Sequence, residues 1–168
     1  AYAGAQVIHP KTIKPLQNKN IPLYVRPFGD PTKPGSVICA SSPVPPGVPV
    51  RILKGRQVLI SIRPKDFSFV LEERLADIFL VFGQYRQKIN LIQSSAVNLS
   101  LCVDDSRYLE RVVDALQTEF RVVYNRDMEL LTIRGYDQIT YDRYAEAEGV
   151  FLVQKTRRTA RIVRSASH

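Results

Sequence analysis

Residues 97–104 read Val-Asn-Leu-Ser-Leu-Cys-Val-Asp, so that apolar side chains alternate with Asn, Ser, Cys and Asp. This period of two is typical of a strand that buries one face and leaves the other half-exposed. The apolar runs at 58–62 and 89–92 predict two strands before this one. Residues 121–125 predict a fourth strand after it.

Two amphipathic helices are predicted between these strands. The first has Asp66 or Ser68 as its candidate cap, and its apolar positions follow helical spacing: Leu71, Leu75, Ile78, Phe79 and Phe82. The second has Asp105 or Ser106 as its candidate cap, and its apolar face comprises Leu109, Val112, Val113, Leu116 and Phe120. The resulting order, β-α-β-β-α-β, is the ferredoxin-like pattern of an α+β fold.

The C-terminal part of the chain predicts a second, partial copy of this pattern. Residues 129–134 predict a strand, and residues 149–155 and 159–164 predict a hairpin. Between them, residues 135–148 are too polar and too rich in tyrosine to predict a helix, so this copy is expected to lack its first helix. It also ends without a second helix and a fourth strand. We therefore expect residues 50–53 to supply the missing strand.

Proline-rich stretches divide the chain. Residues 41–49, Ser-Ser-Pro-Val-Pro-Pro-Gly-Val-Pro, predict a stiff linker. Before it, residues 10–18 predict a short helix, and residues 21–28 an edge strand, since prolines exclude a central one. The predicted organisation is a first block, a linker, a complete module and an incomplete second module: residues 1–39, 40–49, 50–126, and 127–168 with part of 50–56.

Composition limits the classes of partner. Hydrophobic residues make up 45% of the 168 residues, which is ordinary for a globular protein, and no apolar run approaches the roughly 18 residues that cross a membrane. The net charge of +8 raises the possibility of nucleic acid binding. However, the predicted strands at 89–92 and 97–103 contain no aromatic residue on which a base could stack. A nucleic-acid partner is therefore not expected.

Catalytic and metal-binding constellations are not found in the sequence. The two histidines, His9 and His168, have no nucleophile at a recognisable spacing, and no glycine-rich phosphate loop is present. The acid pair at 104–105 falls at a predicted helix start, where capping is expected. Cys39 and Cys102 form no CxxC pair and are expected to be buried free thiols in a reducing, cytoplasmic environment. We expect no catalytic residue, metal site or cofactor in this chain, which disfavours a free-standing enzyme.

A small-ligand site is the functional feature that remains. The loop at 63–70 leads into a predicted helix N-terminus, where free backbone N–H groups can receive a carboxylate. In a fold of this kind the strand at 89–95 runs nearby and offers Asn90, Ser94 and Ser95. The alternative is that these three are ordinary polar residues on the solvent side of the sheet.

Several stretches resemble the C-terminal part of the aspartate kinases. Gly-Ala-Gln-Val-Ile-His-Pro-Lys-Thr-Ile at 4–13, Asn-Ile-Pro-Leu-Tyr-Val-Arg at 20–26 and the segment 30–38 resemble the end of the family's catalytic domain. Ile-Asn-Leu-Ile-Gln-Ser-Ser-Ala-Val-Asn-Leu-Ser-Leu at 89–101 is similar to its effector-site strand pair. Gln-Lys-Thr-Arg at 154–157 resembles the closing hairpin of the short aspartate kinases of Bacteroidetes-type bacteria.

The resemblance implies a pair of ACT domains, ferredoxin-like modules that bind amino acids, preceded by a remnant of the amino-acid-kinase domain. The parent enzyme phosphorylates the side-chain carboxylate of aspartate with ATP and Mg, and those sites would lie upstream. The ACT pair would sense lysine or threonine and form a homodimer that acts on the catalytic domain of the same parent chain. The implied effector site places the carboxylate near Ser68 and Phe69 and the amine and backbone at Asn90, Ser94 and Ser95.

The chain departs from the family pattern at three places. Asn90 stands where the family has Asp, Ala96 where it has Glu, and the Gly that usually enters the first helix is missing around Glu73. An Asp would pair with the effector's ammonium, whereas Asn offers a neutral acceptor. These departures leave open a second hypothesis, a dimerisation module that has lost its effector. A nucleic-acid-binding ferredoxin-like domain is a third, supported by charge alone.

Overall fold

The computed structural model describes residues 8–40, 48–65 and 72–166. The predicted site residues Ser68 and Phe69 lie outside these ranges, as do the candidate cap Asp66, most of the predicted linker and His168. The described elements, in chain order, are α1 (Pro10–Asn18), β1 (Leu23–Val25), β2 (Ser36–Ile38), β3 (Val50–Pro64), α2 (Glu72–Gln84), β4 (Ile89–Ser94), β5 (Leu99–Asp104), α3 (Leu109–Gln117), β6 (Phe120–Arg134), α4 (Gln138–Ala145), β7 (Val150–Lys155) and β8 (Thr159–Ser165). No helix within these ranges has the length and apolar character that a membrane span requires.

The chain divides into two compact units, residues 1–48 and residues 49–168. In the first unit, His9 caps α1, because its Nδ1 accepts a hydrogen bond of 3.2 Å from the backbone N–H of Lys11. The strands β1 and β2 pair antiparallel. None of the residues of this unit whose exposure is described is buried. The prediction that Cys39 is a buried thiol is therefore wrong, since its side chain is exposed.

The second unit contains a six-stranded antiparallel sheet in the order β4-β5-β3-β6-β8-β7. Its first four strands, with α2 and α3, have the predicted ferredoxin-like arrangement. The strands β3 and β6 each run for 15 residues and take part in both halves of the sheet. Val50 to Lys54 pair with Arg134 to Leu130, so the prediction that residues 50–53 complete the second copy is confirmed.

A bulge in each long strand explains why the sequence reads them as shorter pieces. Arg56 in β3 and Asp127 in β6 have left-handed backbones, with φ of 52° and 54°, and the β3–β6 register shifts between Lys54 and Leu59. A bulge inserts an extra residue, so the alternation of inward and outward side chains is out of phase before and after it. The strands predicted at 121–125 and 129–134 are therefore one strand, and the predicted module boundary after residue 126 falls inside it.

Three apolar clusters hold this unit together. One lies between the first half of the sheet and the helices α2 and α3, and another lies between the second half and α4. The third joins the helix-free faces of the two halves through Leu59, Leu91, Cys102, Met128, Leu130 and Val163. The edge strands β4 and β7 also meet, where Gln154 Nε2 donates a 3.2 Å hydrogen bond to the carbonyl oxygen of Ile92. The two half-sheets thus pack face to face.

The helix α4 lies in residues 135–148, for which no helix is predicted from the sequence, and it corrects the expectation that the second copy lacks its first helix. Asp137 caps α4, since its side chain accepts a 2.7 Å hydrogen bond from the backbone N–H of Thr140. Tyr141 and Tyr144 pack against the cluster beneath the helix. Tyrosine rings supply the apolar face here, whereas the periodicity argument looked for aliphatic residues.

Candidate functional site

The hairpin that joins β4 to β5 forms one wall of an open cavity of about 300 Å³. Ser94 and Ser95 lie on this wall, and both side chains are exposed. Ser95 is fixed by the turn, because its backbone N–H donates to Asn98 O at 2.8 Å and its Oγ accepts from Asn98 N at 3.1 Å. The opposite wall is β7, with Phe151, Leu152 and Val153. The cavity therefore lies where the two edge strands of the sheet approach each other.

Asn90 does not line this cavity. Its side chain belongs to a polar cluster on the helix-free face, in which Nδ2 donates to Gln57 Oε1 and to Asp104 Oδ1, both at 2.7 Å. Asn90 Oδ1 accepts a 2.9 Å hydrogen bond from Lys54 Nζ. The structure thus brings Ser94 and Ser95 together and places Asn90 in a neighbouring cluster.

Asp104 is the centre of this cluster. Its Oδ1 accepts hydrogen bonds from Lys54 Nζ at 2.5 Å, from Asn90 and from Gln57 Nε2 at 3.0 Å. Burial by itself would raise the pKa of Asp104, but these hydrogen bonds and the charge of Lys54 outweigh burial, so the pKa lies below its ordinary value of 3.8. The expectation that Asp104 and Asp105 cap the next helix is wrong: Asp105 pairs with Arg126 at 3.3 Å instead.

The guanidinium of Arg161 and the buried thiol of Cys102 complete the cluster. The guanidinium of Arg161, on β8, donates from Nη2 to the backbone oxygen of Asn90. Arg161 Nε is buried and has no hydrogen-bond partner among the described residues, and burial lowers the pKa of this side chain. Burial raises the pKa of the Cys102 thiol to about 11, against the opposing charges of Arg161 and Lys54. Cys102 is buried and free, as predicted.

Sequence reasoning missed most of this cluster. Lys54 and Gln57 fall between the strands predicted at 50–53 and 58–62, and Arg161 was predicted only as part of the strand at 159–164. Gln57 is nevertheless 1% exposed and directly precedes an apolar run. A glutamine in a position that is expected to be buried needs polar partners, and this was the available signal. In the ranges that the structure describes, no group of three or more His, Cys, Asp or Glu side chains is placed to hold a metal ion.

The architecture defines the fold class of the chain, an α+β fold with a ferredoxin-like module. The chain superimposes on Escherichia coli aspartokinase III, solved in complex with lysine and aspartate, with a TM-score of 0.79 at 18% identity, over 98% of this chain and 41% of that one. It also superimposes on a putative C-terminal regulatory domain of aspartate kinase from Porphyromonas gingivalis W83, with a TM-score of 0.59 at 17% identity, over 71% and 87% of the two chains. The fold is that of the regulatory regions of aspartokinases.

Sequence comparison finds aspartokinases among the similar proteins. Chloroplastic aspartokinase 3 of Arabidopsis thaliana is 32% identical over 111 residues, which are 66% of this chain and 20% of that protein. Lysine-sensitive aspartokinase 3 of E. coli K12 is 26% identical over 144 residues, or 80% of this chain and 31% of that protein. No family model matches the sequence. The chain is similar in sequence to these two aspartokinases, and the aligned residues cover less than a third of the length of either relative.

Proposed function

We propose that this chain is the amino-acid-sensing regulatory part of an aspartokinase and that its effector is lysine or threonine. Homology supports the enzyme class. Lysine is supported by aspartokinase III of E. coli, which is named lysine-sensitive and was solved with lysine and aspartate. The observation that carries the proposal is the cavity at the end of β4, where Ser94 and Ser95 present exposed hydroxyls opposite an apolar strand.

The proposed contacts follow from the chemistry of a free amino acid, which has a carboxylate and an ammonium. The hydroxyls of Ser94 and Ser95 can donate hydrogen bonds to the carboxylate or accept them from the ammonium. Asn90 Oδ1 accepts one hydrogen bond, from Lys54, and a carboxamide oxygen can accept two, so it can also receive an ammonium. We propose that the carboxylate lies against Ser68 and Phe69, because they precede α2 and helix N-termini bind anions.

Inhibition would follow from a difference in effector affinity between two arrangements of the parent enzyme. The nucleotide and aspartate sites, with their ATP and Mg, would belong to a catalytic domain that this chain does not include. A homodimer through the ACT modules is supported by apolar side chains at the sheet edges. Ile92, Val97 and Phe151 are 44%, 54% and 52% exposed. The proposed location is the cytoplasm.

A second candidate is a dimerisation module that no longer binds an effector. It is favoured by the position of Lys54, whose Nζ lies 2.9 Å from Asn90 Oδ1 and 2.5 Å from Asp104 Oδ1. The oxygens of Asn90 and Asp104, which would attract the ammonium of an effector, therefore already bind the ammonium of Lys54.

Calorimetric titration with L-lysine and, separately, with L-threonine tests the two candidates. The first candidate predicts saturable binding of one amino acid, lost or weakened about tenfold in Ser94→Ala and in Asn90→Ala. Ser165→Ala is the matched control, since it removes an exposed serine hydroxyl that does not line the cavity. A dimer by sedimentation that gives no heat with either amino acid would support the second candidate and refute the first.

A further inference from the structure

A second cavity, of about 290 Å³, lies on the other half of the sheet, between β3 and α4. It shares no residue with the cavity at the end of β4. The described residues that line it are Pro49, Arg51, Ile139, Thr140, Arg143 and Tyr144. Two of these six carry a positive charge and none carries a carboxylate.

Both arginines are directed at the same aromatic ring. The guanidinium carbons of Arg51 and Arg143 each lie 5.8 Å from the centre of the Tyr144 ring. Arg51 Nη1 also donates a hydrogen bond to Tyr144 Oη. The ring therefore holds two guanidinium groups, one from a strand and one from a helix, beside one cavity.

The charge of this pair is not balanced locally. A third guanidinium, that of Arg164, lies 6.0 Å from the same ring, but Glu129 neutralises it through a 2.6 Å ion pair. Neither Arg51 nor Arg143 forms an ion pair with any residue that the structure describes. Like charges held close together repel each other, so an anion between them would be stabilised by both.

We infer that this cavity is a binding site for a small oxyanion, a phosphate or a carboxylate group, held between Arg51 and Arg143. A guanidinium presents parallel N–H donors that match the oxygens of either group. The Thr140 hydroxyl lines the same cavity and supplies a further donor. Ile139, 82% exposed, and Pro49 give the site an apolar wall, which suits an organic anion with a short hydrocarbon part.

The experiment titrates the chain with inorganic phosphate and with malonate at constant ionic strength, followed by calorimetry. We expect saturable binding of at least one anion to the unaltered chain. Arg143→Gln should weaken it by about tenfold or more, and Arg51→Gln likewise, because each removes a charged hydrogen-bond donor. Arg143→Lys keeps the charge but not the paired donors, and should bind with intermediate affinity.

Arg157→Gln is the matched control, since it removes the same charge from an exposed position in the turn between β7 and β8. Affinity that falls equally in the control would show a general charge effect and overturn the site. Absence of saturable binding by both anions would overturn it as well. Preference for phosphate or for malonate identifies which source of oxyanion the site takes. Ser94→Ala should leave anion binding unchanged, so this result is separable from the outcome for the proposed amino-acid effector.

Discussion

Asp104 concentrates three hydrogen-bond donors on one carboxylate oxygen, and its ionisation is therefore linked to folding. Its pKa is below 3.8 in the folded chain, so the folded state binds the proton less readily than the unfolded state. The stabilisation is fully present above the unfolded value and is lost as the pH falls through the folded value. Acid should thus weaken the contact between β5 and the Lys54 segment as Asp104 becomes protonated.

We predict that Asp104→Asn lowers the free energy of unfolding by about 1–2 kcal/mol near pH 7, a modest loss because the cluster is partly exposed to solvent. Below about pH 4, the free energy of unfolding should fall less steeply with decreasing pH in the variant than in the unaltered chain. Urea unfolding over a series of pH values measures both effects. Asp114→Asn, an exposed position on α3, serves as control. Parallel pH curves for all three proteins would contradict the assignment.

The candidate site was predictable from sequence only in part. Ser94 and Ser95 follow an apolar run at a strand end, so their placement at the rim of the sheet could be anticipated, and the structure puts both on one cavity. The partners of Asn90 could not be anticipated. Lys54 and Arg161 reach it from strands that are far away in sequence, and only the face-to-face packing of the half-sheets brings them close.

At the scale of elements, apolar period and turn chemistry predicted most strands and the two helices of the first module. These patterns failed where one strand packs against different parts of the core along its length. In β6, Tyr124 faces the helices and Met128 faces the shared cluster, because the left-handed residue Asp127 lies between them. The polar residues around Asp127 therefore look like a turn, although the backbone continues as a strand.

The helix α4 is short and owes its start to Asp137. We predict that Asp137→Ala speeds the hydrogen exchange of the amides in α4, because the backbone N–H of Thr140 loses its acceptor. Exchange followed by mass spectrometry on peptides from α4 and from α3 measures this. Glu148→Ala, an exposed acid beyond the helix, is the control. Equal acceleration in α3 would indicate general destabilisation and not the loss of a cap.

On the scale of the whole second unit, two shared strands and one shared cluster join the half-sheets. Each half-sheet needs one part of β3 and one part of β6, and the remaining part of each strand belongs to the other half. Small units joined in this way unfold together, since opening one half exposes the apolar face of the other.

We predict that Leu130→Ala, which removes a 3% exposed side chain from the shared cluster, lowers the free energy of unfolding by about 2–4 kcal/mol. In this variant, the amides of α3 and those of α4 should lose their protection against hydrogen exchange at one and the same urea concentration. Leu80→Ala, at a position that is 70% exposed, should have little effect. Loss of protection in α4 at a urea concentration where α3 remains protected would show that the halves are independent.

The long strand β3 has a consequence for recombination between related genes. Its first residues, 50–54, complete the half-sheet that residues 127–165 build, while the intervening segment builds the other. One module is therefore encoded inside the other, and the outer one is split in the gene. A chimera with a homologue keeps its native strand partners only if residues 50–54 and 127–165 come from the same parent. A single crossover between them separates the two parts of the outer module, even when it falls in a loop.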